Sequence, residues 1–323
     1  MRALVIESDH ENRSQKQPTL RHVPFVERNG ECRIRVTYAG ICGTDLELIR
    51  GYADYTGIPG HEFVGVVEDA PNTDRHWIGK RVVGEINVSC GVCDSCISGT
   101  REHCPTRSVL GILNRDGAFA THVSLPAINL HALPDSLSDQ AAVFVEPTAA
   151  ACEILTQVEV NRNTRVAVIG DGRLGLLIGQ VIHSTGATVT QIGRHPDKLK
   201  LAKSFGLSTA LSKDTVTPKS FDLTIDATGH PDGLQCAINL ARPRGTVVMK
   251  STFHGATPVE LWPAVVDELT LIGSRCGPFE QGIEMLVKRN VKTESLLTGS
   301  YQMESFRTAF AVARTSLKVL LRP

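Results

Sequence analysis

The apolar positions along this chain follow two regimes that meet near residue 140. Before that point they come in short runs. Arg33-Ile34-Arg35-Val36-Thr37-Tyr38 alternates polar and apolar, the period of a half-buried strand. Phe63-Val64-Gly65-Val66-Val67 and Arg81-Val82-Val83-Gly84 are short and β-branched, and Gly40, Gly43, Gly51, Gly57, Pro59 and Gly60 interrupt the pattern. Such a texture predicts an irregular, mainly β domain whose loops carry the chemistry. After residue 140 the period lengthens. Helices are predicted over 141–155, 174–185, 197–205 and 232–240, and strands over 166–169, 188–192, 222–226, 246–250 and 269–273. Buried strands alternating with helices predict an α/β fold with a doubly wound parallel sheet. The tail from residue 277 predicts two amphipathic helices and a last strand over 318–321.

Composition narrows the partners. At 323 residues, with 41% hydrophobic and 21% charged positions, the chain is long enough for two domains without disulfide staples. Basic and acidic residues balance at 34 each, which argues against nucleic acid or an anionic membrane as the main partner. The apolar start, Met1 to Ile6, is too short for a signal peptide, and no run reaches the length of a membrane span. A cytoplasmic protein is the expectation. The cysteine count is odd, nine, with four packed between positions 90 and 104, a pattern that favours metal over a secreted disulfide framework.

Gly170-Asp171-Gly172-Arg173-Leu174-Gly175 is a G-x-G-x-x-G that follows a strand and opens a helix, the setting in which the motif binds a dinucleotide. Gly170 allows the tight turn, Gly172 lets backbone approach a pyrophosphate, and Gly175 lets helix and strand pack closely. About 20 residues on, an acid would read the ribose 2′-hydroxyl. Gly193-Arg194-His195 stands there instead, with no carboxylate to repel a 2′-phosphate and a guanidinium to grip one, so NADP(H) is expected over NAD(H). Asp226-Ala227-Thr228-Gly229 closes a later strand, and Ala227 and Thr228 suit the carboxyl-end crevice in which cofactors lie.

Two constellations suit metals. Cys42, His61, Glu62 and Glu146 mix one thiolate, one imidazole and one or two carboxylates, a set that fits Zn²⁺ with a position left open. Catalytic zinc lowers the pKa of a bound water to about 7 and polarises carbonyls, as exchange of hydride with an alcohol requires. Cys90-x2-Cys93-x2-Cys96-x7-Cys104 fits a closed structural zinc site. An iron–sulfur cluster is the rival there, although the last spacing is longer than in the bacterial ferredoxin run.

Taken in order, the G-x-C-G-T-D around Cys42, the G-H-E at 60–62, the four-cysteine lobe, Glu146, the G-x-G-x-x-G and the D-A-T-G resemble the medium-chain dehydrogenase/reductase family, zinc alcohol dehydrogenase type, over nearly the whole chain. The glutamates at 62 and 146 look like the polyol, sugar and threonine dehydrogenase branch. The resemblance implies a GroES-like catalytic domain over 1–148 and 277–323 and a Rossmann domain over 149–276. It implies two zinc ions per chain, the catalytic one held by Cys42, His61 and either Glu62 or Glu146. Thr44 matches the hydroxyl that bonds the substrate oxygen, Asp45 the carboxylate that orients the zinc-bound histidine, and Arg275 a residue near the cofactor. Glu47 stands where relatives often carry a proton-relaying histidine. A homodimer or homotetramer acting on a small alcohol, polyol or carbonyl compound is implied. Tyr52, Tyr55, Thr56 and the stretch 110–115 are placed near the substrate by position. A non-catalytic NADP(H)-binding sensor or scaffold is the alternative, against which the complete Cys42, Thr44, His61 and Glu146 set argues.

Overall fold

The computed structural model describes residues 1–7, 17–51, 54–214, 216–252 and 258–323. Two compact units emerge, one formed by Met1–Glu146 and Leu297–Pro323, the other by Pro147–Leu296.

The second unit is built on six parallel strands. In spatial order they are Ser208–Leu211, Thr188–Gly193, Arg165–Ile169, Phe221–Asp226, Ala241–Met249 and Thr270–Gly273, the 3-2-1-4-5-6 order of a dinucleotide-binding sheet. In Arg165–Ile169 the four residues after Arg165 are apolar and buried on both faces, as a mid-sheet strand requires. Ala167, Ile169 and Ile192 pack with Ala237, Ile238 and Val247 into one core. Burial of these side chains stabilises the unit by roughly 25 cal/mol per Å² of apolar surface. Helix Arg173–His183 buries Leu176, Leu177, Ile178, Val181 and Ile182 against the sheet. Strand Ser208–Leu211 is absent from the sequence reading because its Ser-Thr start sits at the sheet edge with little burial to mark it.

Two boundaries differ from expectation. The stretch expected as one helix over 141–155 divides into Asp139–Ala142, capped by Ser138 Oγ, and Val145–Gln157. Pro147 lacks an N–H and clashes with the carbonyl four residues earlier, so a helix cannot run unbroken through 143–147. The segment 277–296 belongs to the second unit and not with the tail. Its Lys292 N–H donates to Gln180 Oε1 at 2.8 Å, and a side chain at Gly277 would strike Ala149 O at 2.0 Å.

The first unit carries a seven-stranded sheet. Leu297–Gln302, Lys318–Arg322, Cys32–Gly40, Glu62–Asp69, Arg81–Gly84 and Leu130–Ala132 lie in that order, and His122–Leu125 pairs with Cys32–Gly40. The pairing of Cys32–Gly40 with Glu62–Asp69 sets Gly40 opposite Glu62. That register brings the loops holding Cys42 and His61 together. Arg115, expected near substrate, is instead a buried tether: its guanidinium grips Glu31 bidentately at 2.9 and 3.0 Å.

Candidate metal centres and dinucleotide loop

Ligand atoms of Cys42, His61 and Glu62 all lie within 4.8 Å of one another. Glu146 stands outside this group. Cys42 is the N-cap of helix Gly43–Ile49, and Asp45, three residues on, accepts its backbone N–H at 2.7 Å. Asp45 is fully buried and also accepts the Gly60 N–H at 3.2 Å, so one carboxylate ties the two loops. Its Oδ1 lies 3.4 Å from His61 Nδ1, too loose to satisfy that nitrogen. Thr44 Oγ1 is 3.9 Å from Cys42 Sγ. Glu47 turns to Arg50 at 2.6 Å.

This donor set fits a divalent cation. Burial pushes His61 toward its neutral form, but the Asp45 carboxylate and the Cys42 sulfur outweigh it and hold the imidazole well above the usual histidine range. Surroundings that hold a proton so firmly also favour a metal ion. Glu62 Oε2 is paired with Lys318 Nζ, while Glu62 Oε1 is buried without a hydrogen-bond partner. A buried carboxylate oxygen left unmatched costs on the order of 1–3 kcal/mol or more, and coordination removes that cost. Gly40 leaves the space for this carboxylate, since a Cβ there would meet Glu62 Oε2 at 2.5 Å.

The four-cysteine lobe is closed at its base by the strands Asn87–Val88 and Ser108–Val109. Cys93 and Cys96 sulfurs are 3.5 Å apart, Cys90 and Cys104 3.6 Å, and Cys90 and Cys96 4.0 Å. Four sulfurs about 2.3 Å from a tetrahedral zinc stand about 3.8 Å apart, whereas a disulfide needs about 2.05 Å. The Cys90 N–H and the Thr106 hydroxyl lower the Cys104 thiol to about 6, so it is ready to act as a thiolate. Val92 and Ile97 are exposed, and the lobe has little apolar core of its own.

The glycine loop behaves as its spacing implies. Gly170 has φ +116° and packs on Ala227 O, which a Cβ would meet at 2.5 Å. Gly172 caps helix Arg173–His183, and nothing lies within 4 Å of the place of its missing Cβ, leaving backbone open to a ligand. A Cβ at Gly175 would meet Gly170 O at 2.0 Å. Thr228 Oγ1 donates to Asp226 Oδ1 at 2.7 Å. Lys250, buried, donates to Ala150 O and Arg275 O at 2.7 Å each and fixes the Arg275 backbone.

Residues 28–135 match the alcohol dehydrogenase GroES-like domain, and residues 174–289 match the zinc-binding dehydrogenase domain. Over 299 residues, 88% of either chain, 31% of positions are identical to the starvation-sensing protein RspB of Escherichia coli K12. The chain belongs to the zinc-type medium-chain alcohol dehydrogenase family. Membership makes this family member an oxidoreductase. It is 29% identical to the sorbitol dehydrogenase of Halalkalibacterium halodurans, over 91% of this chain and 92% of that one. The solved rspB alcohol dehydrogenase of E. coli CFT073, complexed with NADH, superposes with a TM-score of 0.89 at 29% identity, covering 100% and 99% of the two chains. A zinc-binding dehydrogenase of Sinorhizobium meliloti 1021, solved with NADP, gives 0.87 at 25% identity, covering 100% and 99%.

Two residues of this dehydrogenase escaped the sequence reading. Lys318 was seen only as part of a final strand, and nothing local marks it as the partner of a glutamate 256 positions away. Asp171 has no role in the sequence pattern beyond its place in the glycine motif. Its carboxylate lies against Gly193, so the end of the second strand is not free of acid as the spacing suggested. Tyr55, Thr56 and 112–115 line a cavity of about 280 Å³ that includes none of Cys42, His61 or Glu62, and Tyr52 lies outside the described residues.

Proposed function

We propose that the chain is a zinc-dependent dehydrogenase that transfers a hydride between NADP(H) and an alcohol, polyol or sugar hydroxyl, or the matching carbonyl. The observation that carries this reading is the cluster of half-buried Cys42 with buried His61 and Glu62, one carboxylate oxygen unmatched. Cys42 Sγ, His61 Nε2 and a carboxylate from Glu62 or Glu146 hold the catalytic ion, and Cys90, Cys93, Cys96 and Cys104 hold a second, structural one. Zinc in the first site supplies a Lewis acid that polarises the substrate oxygen. Asp45 faces the Nδ1 edge of His61 at 3.4 Å and would orient the ring so that Nε2 turns to the ion. Thr44, beside Cys42, would bond the substrate hydroxyl, accepting its proton at Oγ1 as it passes its own hydroxyl proton on to solvent. With its carboxylate on Arg50, Glu47 reaches the proton path only by leaving that ion pair. Gly172 and the start of helix Arg173–His183 seat the pyrophosphate, with Arg173 and Leu174 in that first turn. Ala227, Thr228 and Arg275 line the cofactor's other end. A cytoplasmic homodimer or homotetramer completes the reading.

Polyols and sugars come first as substrates, simple and aryl alcohols second. A panel followed through the absorbance of the reduced nicotinamide tests both ends of the reading. Turnover is expected with NADP⁺, and Arg194→Ala lowers kcat/KM for NADP⁺ about tenfold or more while NAD⁺ changes little, as loss of a charge-assisted contact to phosphate implies. An unchanged cofactor ratio contradicts the 2′-phosphate reading. Absence of turnover across the panel with normal NADPH binding makes the chain a cofactor-binding sensor instead.

A further inference from the structure

Asp171 lies inside the glycine motif. It reaches across to the end of strand Thr188–Gly193. Its Oδ2 accepts the backbone N–H of His195 at 2.6 Å. His195 Nδ1 lies 3.0 and 3.1 Å from its two oxygens. The side chain is only 8% exposed, whereas the imidazole it holds is 54% exposed. A Cβ at Gly193 would stand 2.4 Å from Asp171 Oδ2 and 2.6 Å from its Cγ. The carboxylate therefore fills the volume that a side chain at 193 needs. That is the strand-end place from which an acid reads a ribose 2′-hydroxyl in NAD-binding sheets.

We infer that Asp171 is a specificity-determining positioning residue for the adenosine end of the cofactor: by pinning His195 through backbone and ring, it presents Arg194 and His195 to a 2′-phosphate. This rests on the NADP(H) reading above. Both carboxylate oxygens are spent on His195, so the acid faces inward. Lys198, on the following helix, is a nearby cation. Burial alone would raise the Asp171 pKa, but the His195 hydrogen bonds, with Lys198 close by, outweigh it and keep the group below the usual carboxylate range. The pin also accounts for Gly193, since any larger residue there collides with Asp171 and breaks the hold on His195. Arg194 has its backbone fixed on both sides, by the strand at Gly193 and by the pin at 195. A guanidinium on an ordered turn loses less freedom on gripping a phosphate than one on a loose loop.

The test uses the intact protein and ligands that lack nicotinamide: ADP-ribose and its 2′-phosphorylated form, with Kd measured by calorimetry, beside kcat and KM for NADP⁺ and NAD⁺. Asp171→Ala is expected to weaken the 2′-phosphorylated ligand about tenfold and ADP-ribose less than about threefold. KM for NADP⁺ rises and kcat at saturation stays. Asp171→Asn keeps an acceptor for the His195 N–H and recovers part of the loss. Equal weakening of both ligands in Asp171→Ala reduces the residue to a structural brace and overturns the inference. A gain for the 2′-phosphorylated ligand also overturns it, because the carboxylate then opposes the phosphate. Arg194→Ala, measured alongside, separates the two claims: an unchanged ratio there removes the 2′-phosphate reading itself, whereas a changed ratio with an indifferent Asp171→Ala removes only the pin.

Discussion

Changing His61 to Gln lowers kcat/KM for the best alcohol by about three orders of magnitude while leaving the fold in place. The size follows from the Lewis acid, worth several kcal/mol of charge stabilisation, at about 1.4 kcal/mol for each factor of ten. The survival of the fold follows from Asp45. That carboxylate keeps the N–H groups of Cys42 and Gly60 whatever stands at 61, so the two loops stay tied. Glutamine has nearly the volume of histidine and leaves no large cavity in a fully packed site. Thermal unfolding should therefore move little compared with activity. Wild-type kcat/KM in the variant contradicts the assignment of His61, and a collapse of the melting temperature makes the loss of activity a folding effect.

Lys318→Met has the larger effect on stability. Lys318 and Glu62 are 0% and 1% exposed at their side chains, and the ammonium also lies 5.6 Å from the Phe144 ring centroid. In protein stripped of metal by a chelator, removing the cation leaves a carboxylate buried without compensation, which costs about 3–5 kcal/mol. For a domain of this size, at about 2–4 °C per kcal/mol, the melting temperature falls by roughly 10 °C. Adding Glu62→Gln to the same variant removes the stranded charge and restores most of that loss, the signature of two coupled residues. Activity is read separately, because the double variant lacks the Glu62 carboxylate proposed for the ion. Two single variants whose effects simply add refute the coupling.

The fold was legible wherever one period ran long enough. The central strand Arg165–Ile169 and the helix Arg173–His183 follow directly from continuous and from 3.6-residue apolar spacing. Strand Ser208–Leu211 did not, because an edge strand with polar ends carries neither signal. The division of the chain at residue 277 misplaced one helix. Phe279–Val287 is amphipathic, and an apolar face does not say which sheet it covers. The metal clusters were legible in part. The cysteine spacing points to one lobe because all four ligands are close in sequence. Cys42 and His61 meet only through the antiparallel register that sets Gly40 against Glu62, a non-local fact. Glu146 and Glu62 are equal candidates by residue type; the fold clusters Glu62 with Cys42 and His61, and the ligand role stays proposed for either. Asp171 was hidden for the opposite reason. The glycine motif specifies only its glycines, and the partner of Asp171 lies 24 residues on.

Elemental analysis of the purified protein, paired with turnover, bears most directly on the central claim. Two equivalents of zinc per chain are expected, one for each ligand cluster. Cys42→Ser with His61→Gln removes one equivalent together with activity, and Cys93→Ser with Cys96→Ser removes the other together with stability. A single equivalent in the unaltered protein, held by the four-cysteine lobe and accompanied by full turnover, contradicts the account.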